Sequence, residues 1–289
     1  MALRISANGA QDYTSGMQVH LLGTAQDGGV PHPGCDCRRC GAARTDPALA
    51  RMASCLAVQA AEGAPAVLLD CTPDFPRQSA LLKARTGSAV PAAILLTHAH
   101  LGHYLGLAFL GREALSAKAL PVHCTDAMGA FLQANKPFRH LLDRGEIVLK
   151  EAGLEMPGLK ATSFQVPHRN EDADTVGWRL ESGGRRVLFI PDFDAYTPRM
   201  MEEIAAADLA FLDGTFWADG ELKGRDQKSL GHPPVKEAME ILKDHAAKVR
   251  FLHLNHSNPL LEDGPERAEL RALGFGLAAE GETVRIQRP

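Results

Sequence analysis

The chain has 289 residues, with 31 lysines and arginines against 35 aspartates and glutamates, a formal charge of −4 and 45% hydrophobic residues. That balance leaves no broad basic face, so no nucleic-acid partner is expected. No run nears the roughly 18 apolar residues of a membrane span, and the N-terminus MALRISANGAQDYTSGMQ lacks the apolar core of a secretory leader, so a cytoplasmic protein without a membrane partner is the expectation.

Short β-type runs stand at 17–24 (MQVHLLGT), 54–60, 66–71 (AVLLDC), 92–98 (AAILLTH), 159–168, 175–182, 185–192 (RRVLFIPD), 209–214 and 249–256 (VRFLHLNH), most of them ended by Gly, Pro or Asp. Helix-like segments fall at 74–85, 104–116, 125–135, 198–207, 233–246 and 265–273. Within 233–246, Val235, Ala238, Met239, Ile241 and Leu242 make a core-facing stripe. ESGGRR (181–186) predicts a hairpin turn. The strands form two clusters, 17–98 and 159 onward, which predicts one domain over 1–289 with two packed sheets and helices outside them. Neither strand order nor oligomeric state is written in these patterns.

THAHLGHYLG (97–106) places His98, His100 and His103 where a buried strand turns into a helix, the place where α/β proteins carry chemistry. His168 closes FQVPH, Asp192 closes VLFIPD, and His253 sits in FLHLNH, so each can project from a strand end into the same cleft. Five histidines and one carboxylate suit zinc, iron or manganese, as one or two ions.

This order (TH-x-H-x-x-H, a later His, an Asp, a last His) resembles the ligand order of the metallo-β-lactamase superfamily. LLGTAQDGGVPHPGCDCRRC, LLDCTPDFPRQ, FLDGTFWADGE, LGHPPV and HLNHSNPLLEDGPERAELRALG are similar to its pyrroloquinoline quinone biosynthesis B branch. The resemblance implies an α/β fold, the αββα four-layer sandwich of two mixed β-sheets flanked by helices. It assigns His98, His100 and His168 to a first metal, Asp192 as a bridge, and His103 with His253 to a second. Gly102 stands where the superfamily has an aspartate ligand. The second set is thereby reduced to two histidines and a carboxylate, the set of non-haem iron oxygenases, and an aspartate restored at 102 is expected to strengthen the second metal.

The expected activity is a metal-dependent hydrolase in which metal-activated hydroxide attacks a phosphoester, ester or amide of a small-molecule or peptide substrate. Asp192 would orient the attack and His232 in LGHPPV would protonate the leaving group or contact the substrate. The alternatives are an iron-dependent oxygenase acting on an amino-acid-derived or peptide substrate, and a non-catalytic metal-bound carrier.

GCDCRRC supplies Cys35, Cys37 and Cys40, three thiolates that read as a structural zinc loop around 32–41 short of one ligand. Related phosphodiesterases pair such a trio with a histidine three residues after an active-site histidine, the place His256 holds relative to His253; His32 competes for the role. Cys55, Cys71 and Cys124 lie in apolar surroundings and read as core thiols. Asp27 in TAQDGG reads as a turn residue in preference to a support for the metal ligands. Asp213 and Trp217 follow a strand and can line the cleft, and His20, His123, His140 and His245 read as structural or exposed.

Overall fold

A computed structural model describes residues 16–222, 224 and 226–287; residues 1–15, read above for a leader, lie outside these. The first sheet contains β1 (Met17–Gly23), β2 (Cys55–Gln59), β3 (Val67–Leu69), β4 (Ala93–Leu95), β5 (Leu120–His123) and β6 (Ile147–Lys150). The second contains β7 (Gly153–Met156), β8 (Leu159–Gln165), β9 (Val176–Ser182), β10 (Arg185–Ile190), β11 (Leu209–Asp213), β12 (Val249–Leu252) and β13 (Gly276–Leu277). The last strand, β14 (Thr283–Ile286), returns to pair with β1, giving the orders β14-β1-β2-β3-β4-β5-β6 and β13-β12-β11-β10-β9-β8-β7. Both sheets are mixed, and β3 to β6 and β10 to β13 run parallel.

The apolar runs are nearly unbroken because both faces of each sheet are covered. Val67 and Leu69 of β3, and Val187 and Phe189 of β10, point into the core between the sheets, together with Trp178. Their neighbours Leu68, Leu188 and Ile190 point outward, beneath the helices. These are α2 (Phe75–Thr86), α4 (Asp126–Ala134) and α5 (Lys136–Asp143) over the first sheet, and α6 (Pro198–Ala206), α7 (Val235–Ile241) and α8 (Pro265–Ala272) over the second. Two short helices, α1 (Arg38–Thr45) and α3 (Leu101–Tyr104), lie in the two motif-bearing loops. The four-layer sandwich expected from the sequence is what the chain forms. Trp178 Nε1 donates to Leu96 O at 3.0 Å, tying β9 to the segment just beyond β4.

Gly183 and Gly184, with φ of 57° and 78°, make the expected hairpin between β9 and β10. The helix expected over 104–116 is not there: α3 makes one turn and a 3₁₀ segment covers Leu105–Leu110. The chain is drawn instead against the end of β3, where Cys71 N donates to His103 O and Gly106 N donates to Cys71 O, both at 2.8 Å. In α7, Val235, Ala238 and Met239 are buried as expected, but Ile241 is exposed. No described helix is long and apolar enough to cross a membrane.

Candidate metal centre

Strands β4, β8, β10 and β12 end along one edge, where His98, His168, Asp192 and His253 lie just beyond their ends, while His100 precedes and His103 stands within α3. The runs read from the sequence continue past the ends of β3, β4, β10, β11 and β12, by as little as one residue at β11, because a side chain aimed along the edge must leave the ladder. Asp70 and His253 do so with φ of 62° each, and His232, in the loop before α7, has a φ of 66°. The left-handed region is strained for such residues and recurs at functional sites.

His98, His100, His168 and Asp192 bring one ligand atom each within 4.8 Å of one another. His168 Nε2 lies 3.2 Å from His100 Nδ1, and His98 Nε2 lies 3.3 Å from Asp192 Oδ2. On the other side of Asp192 Oδ2 stand His103 Nε2 at 2.9 Å and His253 Nε2 at 3.3 Å. Ligands about 2.0–2.1 Å from a shared ion sit about 3 Å apart, so these edges fit two ions that share Asp192. The structure therefore brings together all six residues expected from the histidine motif.

It also adds one. Asp27 does lie in a turn, with Gly29 N donating to Gln26 O, but its Oδ1 reaches within 3.2 Å of His103 Nε2 and 4.0 Å of His253 Nε2. Asp27, His103, Asp192 and His253 bring one possible ligand atom each within 4.8 Å of one another, so a second carboxylate stands beside the two-histidine, one-carboxylate set expected from the sequence.

The far nitrogen of each imidazole is fixed. His103 Nδ1 donates to Asp70 Oδ2 at 2.7 Å, and His168 Nδ1 donates to Asp194 Oδ1 at 2.8 Å. His100 Nε2 faces Glu171 Oε2 at 3.1 Å. Thr97 Oγ1 gives its proton to Asp70 at 2.9 Å, so it accepts from His98 Nδ1, also at 2.9 Å. Thr215 Oγ1 donates to Asp213 at 2.7 Å and accepts from His253 Nδ1 at 2.9 Å. Each arrangement leaves a bare lone pair on the nitrogen that faces the centre, as metal ligation requires. His98 Nε2, His103 Nε2, His253 Nε2 and Asp27 Oδ1 are buried with no hydrogen-bond partner among the described residues.

The charges agree. Burial drives His98 well below its ordinary pKa, and it also lowers His100 and His253, which favours neutral ligands. At His103 burial pulls the same way but is outweighed by Asp70, Asp192 and Asp27, which raise it well above its ordinary value, the mark of a negative field that also favours a cation. Burial opposes ionisation of Asp192, yet the histidines around it, His253 first, hold it well below the usual carboxylate range. His232 Nδ1 lies 2.6 Å from Asp213 Oδ2 and 3.2 Å from Asp192 Oδ1. Burial lowers its pKa, but Asp213 prevails and raises it to about 9. A cavity of about 420 Å³ opens beside it, lined by Asp194, Tyr196, Gln227, His232, Glu237 and Ile241. Trp217 is packed in the outer core under Lys236 and does not line this cavity.

Cys35, Cys37, Cys40 and His256 form a second cluster. His256 Nδ1 lies 3.5 Å from Cys35 Sγ and 3.7 Å from Cys37 Sγ, close to the roughly 3.5 Å edge of a tetrahedral zinc with Zn–S about 2.3 Å and Zn–N about 2.05 Å. His32 stacks on His256 at 4.7 Å, while its backbone N–H donates to Cys40 Sγ at 3.2 Å, so it supports the cluster from outside. Cys55, Cys71 and Cys124 are buried and free. His20 bonds Gln59 and Thr283, and His123 bonds Glu151 O, as structural residues do.

Comparison with known proteins adds the relationship. The profile of the beta-lactamase superfamily domain matches residues 66–254. The "Coenzyme PQQ synthesis protein B" of Rhizobium meliloti (strain 1021) is 30% identical over 94% of this chain and 99% of its own. The chain belongs to the beta-lactamase superfamily, in its PqqB-like family. Among solved structures, Zn(2+)-bound PqqB from Methylobacterium extorquens matches with a TM-score of 0.80 at 27% identity, over 93% of this chain and 100% of that one. A diphosphatase of the PhnP family matches with a TM-score of 0.70 at 24% identity, over 93% and 97%, a likeness of fold alone.

Asp70, Thr97, Glu171, Asp194 and Thr215 were not singled out by sequence reading. Asp70 carries the one usable signal: like Asp192 and Asp213, it follows an apolar strand (VLLD, LFIPD, AFLD).

Proposed function

We propose that this PqqB-like chain is a metal-dependent hydrolase that cuts a phosphoester, ester or amide bond of a small-molecule or peptide substrate. From the name its relatives carry, we assign it to coenzyme PQQ synthesis. One observation carries the hydrolase reading: two adjoining sets of buried imidazole nitrogens, His98 in one and His103 with His253 in the other, face the same Asp192 carboxylate oxygen, an arrangement for two ions of the kind that hydrolytic two-metal sites use. Lone pair against lone pair is repulsive, and divalent cations between them remove the repulsion.

His98, His100, His168 and Asp192 would hold one ion, and Asp192, His103 and His253 the other. Ions bound there lower the pKa of a coordinated water to about 7 and polarise the bond to be cut. Asp213 occupies Nδ1 of His232, so the proton on Nε2 is the one available to a leaving group in the adjoining cavity. Tyr196, whose buried hydroxyl has no partner among the described residues, lines that cavity and would meet a polar substrate group.

The test is cleavage of bis(p-nitrophenyl) phosphate by protein reconstituted with zinc or manganese, with and without oxygen. Equal rates in both, and a loss of about 100-fold or more in His98→Ala, are expected. Turnover that needs iron and consumes oxygen would establish the oxygenase instead. Metal confined to the cysteine cluster, with no turnover, would establish the carrier.

A further inference from the structure

We propose that Asp27 is the carboxylate ligand of the second metal, moved to the β1 loop from the position that Gly102 now occupies. The inference rests on the two-metal reading above and goes beyond it, because the fingerprint turn THAHLGH contains no such carboxylate.

The two positions compete for one space. A Cβ placed on Gly102 would stand 2.0 Å from Asp27 Oδ1, 2.7 Å from its Cγ and 2.6 Å from its Cα. Non-bonded heavy atoms do not approach so closely, so in this backbone residue 27, through its Cα and its carboxylate alike, fills the space that a side chain at 102 would take. Gly102 is thus the condition for Asp27 to enter, where sequence reading saw only a missing ligand.

The loop that carries Asp27 is held on both flanks. Ala25 N donates to Met52 O at 2.9 Å, and Val30 N donates to Arg51 O at 2.8 Å. Gln26 N donates to Leu254 O at 3.0 Å, which locks Asp27 to the backbone next to His253, another member of the same set. A carboxylate fixed this way, with an unpartnered oxygen 3.2 Å from the bare Nε2 of His103, is built for a cation. An aspartate added at 102 while Asp27 is present would put two carboxylates into one space, so this proposal expects no gain in metal binding from Gly102→Asp, against the gain expected from the sequence.

The test is direct. Zinc affinity at the active site is measured by calorimetric titration against a competing chelator in the wild type, Asp27→Asn, Asp27→Gly and Gly102→Asp. Thermal melts and retention of the cysteine-cluster zinc report folding in each. Asp27→Asn, which keeps the shape of the turn, is expected to weaken the second ion by about 10-fold or more, and Asp27→Gly by about 100-fold. Gly102→Asp brings no tightening, because its Cβ meets the Cα of Asp27 as well as the carboxylate. Unchanged second-ion affinity in Asp27→Asn and Asp27→Gly, or a tighter second ion in a folded Gly102→Asp, overturns the relocation and leaves the two-metal reading standing. A wild type that takes up no ion beyond the cysteine cluster overturns both.

Discussion

Asp70→Asn is the sharpest probe of how the second metal site is prepared. Asp70 is fully buried and accepts from Thr97 N at 2.8 Å, from Thr97 Oγ1 at 2.9 Å and from His103 Nδ1 at 2.7 Å. Asparagine can still accept from Thr97 through its oxygen, but its amide nitrogen would then face His103 Nδ1. A donor there forces the His103 proton from Nδ1 to Nε2, the atom that faces Asp192 and Asp27. A protonated Nε2 cannot ligate. Losing such an orienting partner costs about 10- to 100-fold in metal affinity, or about 1.4–2.7 kcal/mol. The backbone should tolerate the change, because asparagine is enriched at the φ of 62° that Asp70 adopts. Titration with Co²⁺, followed by its visible absorption, should show the first ion binding as in wild type and the second weakened. A folded Asp70→Asn protein that binds both ions with wild-type affinity would refute the tautomer argument.

Three further outcomes are expected. His256→Ala should lose about one zinc per chain by elemental analysis, since the cysteine trio would keep three of its four ligands; unchanged zinc would assign the fourth place to another group. Burial raises the Glu280 carboxyl from its ordinary 4.5 to about 7, against the opposing Met52 N–H and Arg51. Its folded pKa lies above the unfolded one, so this contribution to stability is fully present below about pH 4.5 and is lost as pH rises through 7. Glu280→Gln should therefore gain about 1–3 kcal/mol relative to wild type between pH 5 and pH 8 in denaturant titrations, and an equal difference at both pH values would contradict this. Trp178→Phe removes the indole bond to Leu96 O and leaves a buried carbonyl unpaired, at a cost of about 1–3 kcal/mol in the same assay.

The sandwich was legible because β3, β4, β10 and β11 are short, nearly continuous apolar runs, the mark of strands covered on both faces. The six ligands of the histidine motif were legible because each follows such a run. Asp27 was not: DGG is ordinary turn chemistry, and only the approach of the β1 loop to His253 shows what the carboxylate faces. The proton chains through Thr97 and Thr215 were hidden for a related reason, since a hydroxyl signals nothing until its neighbours are placed. The helix misread over 104–116 has helical periodicity, but the backbone at Cys71 takes up its hydrogen bonds instead.

The most direct test of the two-metal account is anomalous X-ray scattering at the zinc edge from crystals of the zinc-loaded protein. The account predicts two peaks flanking the Asp192 carboxylate and a third among Cys35, Cys37, Cys40 and His256. A single peak at the cysteine cluster, with nothing beside Asp192, would contradict it.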